Sequence, residues 1–430
     1  MKRLFIFILA MLFGSSIVIS QNPIIGDIGI SDPHFRVFND TIYLFSGHDG
    51  SPEDRTWVMR DWRVYSTTNL VDWEHINTIS PKDNYMGEES TDCWAGDGAM
   101  RNGQYYFYFS DRKRSVGVMS SDDMRGQFRD AIGEPLVAPM HDPTILIDDD
   151  PNNTPYLIYG DKGGGGYHIA RLNEDMISVA EEPKLMVING EEWENEATWM
   201  DKNYIFKHNG VYYLSWGAEY ATSSDLYGPY NYAGRCGKGY LLGNLAHSSF
   251  FNWKGQFYHA WCYYLRNGYK WRSVNISYCH MADNGDVVTD THFLDQHYSY
   301  GVARYEASWD RIEAEWFYEV SEGVSKRGMA ESGFHLIFDG SGYLRFQEVD
   351  FAERCDALTL MVESDASYKV SVRKGSYGGE EVGSMRVKPT GDGYEQVRVP
   401  LNIGVGVEDI YILFETKKRG VVKLDWVSFK

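Results

Sequence analysis

The chain has 430 residues, long enough for two or three domains with sizeable cores. A formal charge of -20 excludes the Lys/Arg-rich faces that nucleic acid or anionic membranes require as partners. Aromatic residues make up 15% of the chain, more than ordinary sheet packing uses, and such residues also serve as stacking platforms for sugar rings.

In chain order, the first element is a targeting segment. Lys2 and Arg3 precede an apolar stretch from Leu4 to Phe13, and small residues follow at Ser15, Ser16 and Ser20. This predicts a secretory signal over 1–20, cleaved near Ser20 or Gln21, and hence a secreted or periplasmic protein. A membrane anchor would need about 20 apolar residues, and no later segment offers them. Five cysteines (Cys93, Cys236, Cys262, Cys279, Cys355) show no zinc spacing and leave room for one or two disulfides without forming a framework.

Five segments then read alike: NDTIYLFSGHD (39–49), NGQYYFYFSDR (102–112), NNTPYLIYGDK (152–162), NGVYYLSWGAE (209–219) and KGQFYHAWCYY (254–264). Each is a turn signal followed by an aromatic strand of period two. A supersecondary unit repeated five times in this way predicts a five-bladed β-propeller over 21–305. Shortly before each hairpin stands a polar residue: Asp32, Asp97, Asp142, Glu196 and His247. Strands converging on one axis would bring these into a single pocket. Carboxyls gathered there cannot all ionise cheaply, so one is kept protonated while another stays ionised. Glycosidic hydrolysis uses that division of labour.

After about residue 302–312 the repeat stops. Alternating strands ALTLMVE (357–363), YKVSVRK (368–374), EQVRVPL (395–401) and DIYILFE (409–415) predict a β-sandwich over 306–430. The chain as a whole therefore reads as all-β.

These motifs resemble glycoside hydrolase family 43, a family of five-bladed propellers that hydrolyse arabinose- and xylose-containing glycans with inversion. SDPHFRVFNDTIYLF is similar to the family's first-blade motif, which makes Asp32 the general base. YSTTNLVDW (65–73) matches the strand that follows, and CWAGDG (93–98) resembles a Trp-Ala-Pro-Asp signature with Gly96 in place of proline. HDPTILIDDD (141–150) resembles the segment whose Asp, here Asp142, tunes and orients the acid. LAHSSFF carries the family's central His at His247, and WRSVNI its Arg at Arg272. The resemblance makes Glu196 the general acid, with Glu194 as the alternative, although about five extra residues separate Glu196 from Lys207. Arg272 would act with Asp142 on the acid's charge and direction. Phe35 and Trp94 are candidates to line the sugar pocket. His247 could reach a water or a cation in the channel.

RIEAEWF (311–317) and KLDWVSF (423–429) resemble the first and last strands of carbohydrate-binding module family 6 and should pair. The resemblance implies a structural Ca²⁺ held by Glu313, Glu315 and Asp425, hard oxygen donors of the kind that ion takes. Tyr394 is the best match to the module's sugar-binding aromatics, while Lys423 stands where many members carry Asn. No organic cofactor is implied.

The reading is an exported, monomeric, inverting exo-glycosidase that trims terminal α-L-arabinofuranosyl residues from plant or microbial polysaccharide or oligosaccharide. β-D-xylosidase and β-D-galactofuranosidase are neighbouring activities. A non-catalytic glycan-binding propeller is the alternative from another class. The polar segment Gly47–Asp61 is long enough to form one rim of the pocket.

Overall fold

The computed structural model describes residues 22–111, 115–139, 141–161, 166–190, 201–237, 242, 245–391, 393–416 and 420–430. The predicted signal segment lies outside them. Among the described residues five sheets occupy 30–79, 93–130, 144–185, 188–235 and 245–289, antiparallel except for the parallel pairing of Ile188–Asn189 with Tyr230–Arg235 in the fourth. Their inner strands are Ile30–Phe38, Cys93–Arg101, Thr144–Ile147, Asn203–His208 and Leu245–Trp253. Each inner strand touches the next around the ring, and the fifth touches the first. The sheets therefore stand around one axis, as in a propeller.

Turn chemistry explains why these hairpins form. Four inner strands are joined to the next strand by two residues: Asn39–Asp40, Asn102–Gly103, Asn209–Gly210 and Lys254–Gly255. Both residues of each pair have positive φ, between 48° and 85°. That is the requirement of the turn whose twist matches a strand pair, and Asn, Asp and Gly adopt it most readily. The aromatic repeat segments are the strands that follow these turns.

The same inner strands carry irregularities where they meet the axis. Register shifts fall between Ser31 and His34, between Trp94 and Gly96, and between Leu245 and His247. A bulge inserts a residue and re-aims a side chain. Here the bulges bracket or adjoin Asp32, Asp97 and His247. Asp32 and Asp142 also adopt left-handed φ of 47° and 52°, a conformation Asp tolerates better than most residues.

Two six-stranded sheets form the C-terminal sandwich. One holds Gly342–Phe351, Gly406–Thr416 and Tyr368–Lys374; the other holds Gly333–Asp339, Val421–Phe429, Cys355–Ser364 and Glu395–Ile403. Burial alternates strictly from Gln396 to the end of the strand Glu395–Ile403, as a strand with one wet face requires. Ile312 and Glu313 pair with Val427 and Trp426, so the first and last strands of the sandwich are neighbours. The sandwich core is continuous with that of the first and fifth sheets. Gln256 clamps the join by donating to the carbonyls of Glu315 (2.7 Å) and Phe317 (3.0 Å). All five cysteines are free and buried. Among the described residues no helix is long and apolar enough to cross a membrane.

Candidate active site

Asp32 enters the channel on the bulge of the first inner strand. Arg272 Nη1 donates to its Oδ1 at 2.6 Å, and His247 Nδ1 stands 3.6 Å from the same oxygen. The backbone N–H of Asp32 points at Cys262 Sγ (3.3 Å). The Arg272 guanidinium also donates to Asp49, from Nη2 to Oδ1 at 2.7 Å and from Nε to Oδ2 at 3.1 Å, and its Nη2 meets Met59 Sδ at 3.4 Å. Burial works against the charge of Arg272, but Asp32 and Asp49 more than reverse this and hold its pKa well above the usual value. The base candidate is thus oriented by a cation that cannot leave.

Asp142 lies across the channel. Its Oδ2 accepts from the Lys202 backbone N–H at 2.8 Å and lies 3.9 Å from His247 Nδ1. Burial pushes Asp142 up to about 6; His141 pulls against the shift, while Asp201 and Asp32 add to it. His141, Asp142 and Asp201 each bring one nitrogen or carboxylate oxygen to within 4.8 Å of the others. Burial depresses the pKa of His247 far below the ordinary range, so its ring is neutral. His247 Nε2 and both ring nitrogens of His34 are buried without a hydrogen-bond partner. A water or a cation in the channel would satisfy them.

Several predicted site residues have other roles. Phe35 is fully buried, stacked on Phe251 at 4.9 Å with Trp73 edge-on, so it packs the first sheet against the fifth and does not line a sugar pocket. Arg272 is buried and committed to Asp32 and Asp49; it positions the base candidate rather than touching sugar or directing the acid. Asp97 stands at a repeat-equivalent place but is consumed by Arg36 and by the N–H groups of Gly98 and Ile145 (2.8 Å each). Trp94 is half-buried at the mouth, with Trp57 and His141 rings at 5.9 and 6.0 Å. Trp57 belongs to the predicted rim segment, which is tied to the fifth sheet by Arg55 to Tyr269 OH (2.6 Å) and by Lys270 over the Trp57 ring (3.8 Å). Glu196 and Glu194 lie outside the described residues. Asp49, Cys262, His141 and Asp201 were not singled out from sequence, because nothing local marks a residue whose partner lies on another sheet.

In the sandwich, Glu313, Glu315 and Asp425 line one cleft of about 400 Å³ with Asp290 and His292. Burial pushes Glu313 up to about 7, Arg311 opposing and Asp425 adding. Glu315 is raised well above the carboxylate range by burial, and its Oε2 has no hydrogen-bond partner. Buried acids in that state call for protons or a cation, and the oxygen donor set fits Ca²⁺. Tyr394 stays exposed beside His335, with ring centroids 6.4 Å apart.

Buried acids held in different environments beneath an aromatic rim are what a glycoside hydrolase uses. The family model for Glycosyl hydrolases family 43 matches residues 20–241, and the chain belongs to that family. The model for Carbohydrate binding module (family 6) matches residues 314–430. A xylosidase/arabinosidase from Bacteroides ovatus is 27% identical over 53% of this chain and 84% of its own length. An arabinoxylan arabinofuranohydrolase from Paenibacillus polymyxa is 25% identical over 95% of this chain and 74% of its own. The crystal structure of a family 43 arabinoxylan arabinofuranohydrolase from Bacillus subtilis, in complex with cellotetraose, matches with a TM-score of 0.57. That match covers 96% of this chain and 98% of the other at 20% identity, and speaks for the shared fold.

Proposed function

We propose that this protein is an exported, inverting exo-glycosidase that removes terminal α-L-arabinofuranosyl groups from polysaccharide or oligosaccharide. The observation that carries the reading is the placement of Asp32. Among the described residues the hydrogen-bonding contacts of its side chain fall on Oδ1, which Arg272 holds, leaving Oδ2 to accept a proton from water. Water so activated attacks the anomeric carbon from one face while a carboxyl beside Asp142 protonates the leaving oxygen from the other. Inversion needs the two carboxyls about 6.5–9.5 Å apart, leaving room for that water. Trp94 and Trp57 offer the sugar an aromatic edge. The arabinose choice is supported by the names of the relatives; the Bacteroides ovatus protein's name makes β-D-xylosidase the second reading. One ring carbon or exocyclic group alters discrimination by only about 1–3 kcal/mol, so the same pocket can serve both.

A panel of aryl α-L-arabinofuranosides, β-D-xylosides and β-D-galactofuranosides, with the first-formed anomer followed by NMR, tests this. Hydrolysis of the arabinofuranoside with inverted product is expected. A retained anomer would rule out single displacement, and a strong preference for xylosides would transfer the activity to the second reading.

We also infer that the sandwich holds Ca²⁺ through Glu313, Glu315 and Asp425, tying its first strand to its last. An ion that binds only the folded state contributes RT ln(1 + [L]/Kd), about 2.7 kcal/mol at a hundredfold excess over Kd. Because Glu313 is pushed up to about 7, protons compete with the ion below that pH, and the stabilisation should shrink as pH falls. Calorimetry of the full chain with calcium and with chelator, at pH 6 and pH 8, reads this directly. Superimposable melts at pH 8 would mean that the three acids hold no ion.

A further inference from the structure

An exo-acting pocket takes the terminal sugar and leaves the rest of the glycan at its mouth. The rim therefore meets whatever the next sugar carries. Two loops build one side of that rim. The first links Thr41–Asp49 to Met59–Thr67 in the first sheet, and the second links Gln256–Tyr264 to Arg272–Met281 in the fifth. Ile30 pairs with His48, and Tyr264 with Arg272, so both loops leave at the end of the channel where Arg272 holds Asp32. The Lys270 N–H donates to the Asp54 carbonyl at 2.8 Å and joins the two loops.

Three cations gather at that join. The guanidinium groups of Arg55 and Arg266 lie 4.3 and 3.8 Å from the centroid of the Tyr269 ring. Lys270 Nζ lies 3.8 Å from the Trp57 ring and 5.1 Å from that of Tyr264. Among the described residues none of the three is ion-paired, although Glu53 and Asp54 stand on the first loop. Stacking uses the faces of the guanidinium groups and leaves in-plane N–H donors for a ligand, of which Arg55 gives one to Tyr269 OH at 2.6 Å. Burial and the charge of Arg272 lower the pKa of Lys270, Asp49 opposing and Lys202 adding, so its ammonium sits in a positive field. Burial pushes the Tyr264 hydroxyl up to about 12, Arg272 opposing while Cys262 and Asp32 add. That ring therefore stands within reach of the base candidate's charge. A chain of net charge -20 repels anions as a whole, yet it shows this local positive face at the mouth of its channel.

We propose that this rim selects acidic glycans, with Arg55, Arg266 and Lys270 receiving the carboxylate of a uronic acid next to the sugar that is cleaved. A guanidinium fork matches a carboxylate in shape as well as charge, and Lys270 adds a point charge nearer the channel. Half-buried Trp57 and Tyr269 supply ring surface for the body of that sugar. A neutral glycan would leave the three charges to water and gain only the stacking. The inference rests on the exo-glycosidase reading above, which puts the remainder of the substrate against this rim.

The test uses 4-carboxyphenyl and 4-carbamoylphenyl glycosides of the sugar that the wild type cleaves, which carry a carboxylate or its neutral amide where the next sugar would lie. The quantity read is the ratio of kcat/KM on the first to kcat/KM on the second. Any general loss of activity, and any fixed difference between the two leaving groups, cancels when ratios are compared between proteins. In the wild type the ratio is expected to fall by about threefold or more between low and high salt, because exposed charges are screened. Lys270→Met should lower the low-salt ratio by about fivefold and Arg266→Gln, a change on an exposed side chain, by about twofold to threefold. Lys270→Arg keeps the charge and should keep the ratio. A ratio that is the same in the wild type, Lys270→Met and Arg266→Gln would overturn the proposal, as would a wild-type ratio indifferent to salt. If Lys270→Met does not fold, Arg266→Gln and the salt series decide alone. A wild type inert on every glycoside takes down the glycosidase reading and this inference together. An active wild type whose ratio ignores both salt and substitution takes down this inference alone.

Discussion

Replacing Asp32 with Asn is expected to lower kcat by about 10²–10⁴-fold while the thermal melt stays in place. An amide oxygen can still accept from Arg272, so the geometry of the site survives. Asn also tolerates the left-handed φ of 47° that this position imposes, which alanine would not. Arg272 keeps a counter-ion in Asp49, so its buried guanidinium is not stranded. What disappears is the capacity to take up a proton, since an amide is not basic at any pH where the protein is folded. KM should therefore move little and kcat greatly. Steady-state kinetics on an aryl glycoside, beside a melting curve, separate the two. A variant with wild-type kcat would remove Asp32 from the chemistry. A variant that melts early would instead mean that the Arg272–Asp32 pair is structural.

Much of this was legible in the sequence, for local reasons. A hairpin's turn depends on two residues, and the Asn, Asp and Gly that permit positive φ are visible one by one. The strand pairs 39–49, 102–111 and 254–264 follow from them. The burial of Phe35 was not legible. Its stacking partner Phe251 lies on the fifth sheet, far from it in sequence, and nothing local to SDPHF marks that contact. Nor was the commitment of Arg272, whose partner Asp49 is 223 residues away in sequence and on another sheet. Repeat position likewise misleads for Asp97. The repeat brings a carboxylate to the axis; whether it faces substrate or a neighbouring arginine depends on Arg36, which the first sheet supplies.

That distinction gives Asp97 a stability role, and Asp97→Ala is expected to destabilise the protein by about 3–5 kcal/mol. The side chain is wholly buried, and it joins three sheets. Arg36 of the first sheet binds both of its oxygens, while the Ile145 N–H and the Thr144 hydroxyl of the third sheet donate to Oδ2. Truncation leaves the Arg36 guanidinium largely buried with no carboxylate beside it, and strands the Ile145 N–H. Removing Arg36 as well, in Arg36→Met with Asp97→Ala, should cost less than the single change, because no unpaired charge remains. The pH dependence has a definite sign. Burial alone would raise the Asp97 carboxyl, but Arg36 outweighs this and the pKa is lowered. A lowered carboxyl contributes stability above its unfolded pKa of about 3.9 and loses it as pH falls through the folded value. Wild type and Asp97→Ala should therefore differ most near neutral pH, and their melting temperatures should converge in acid. Folded Asp97→Ala, assayed well below its melting temperature, should keep most of its kcat. A neutral-pH melt equal to wild type would show that the pair does not hold the ring together, and a lost kcat with an unchanged melt would return Asp97 to the catalytic group.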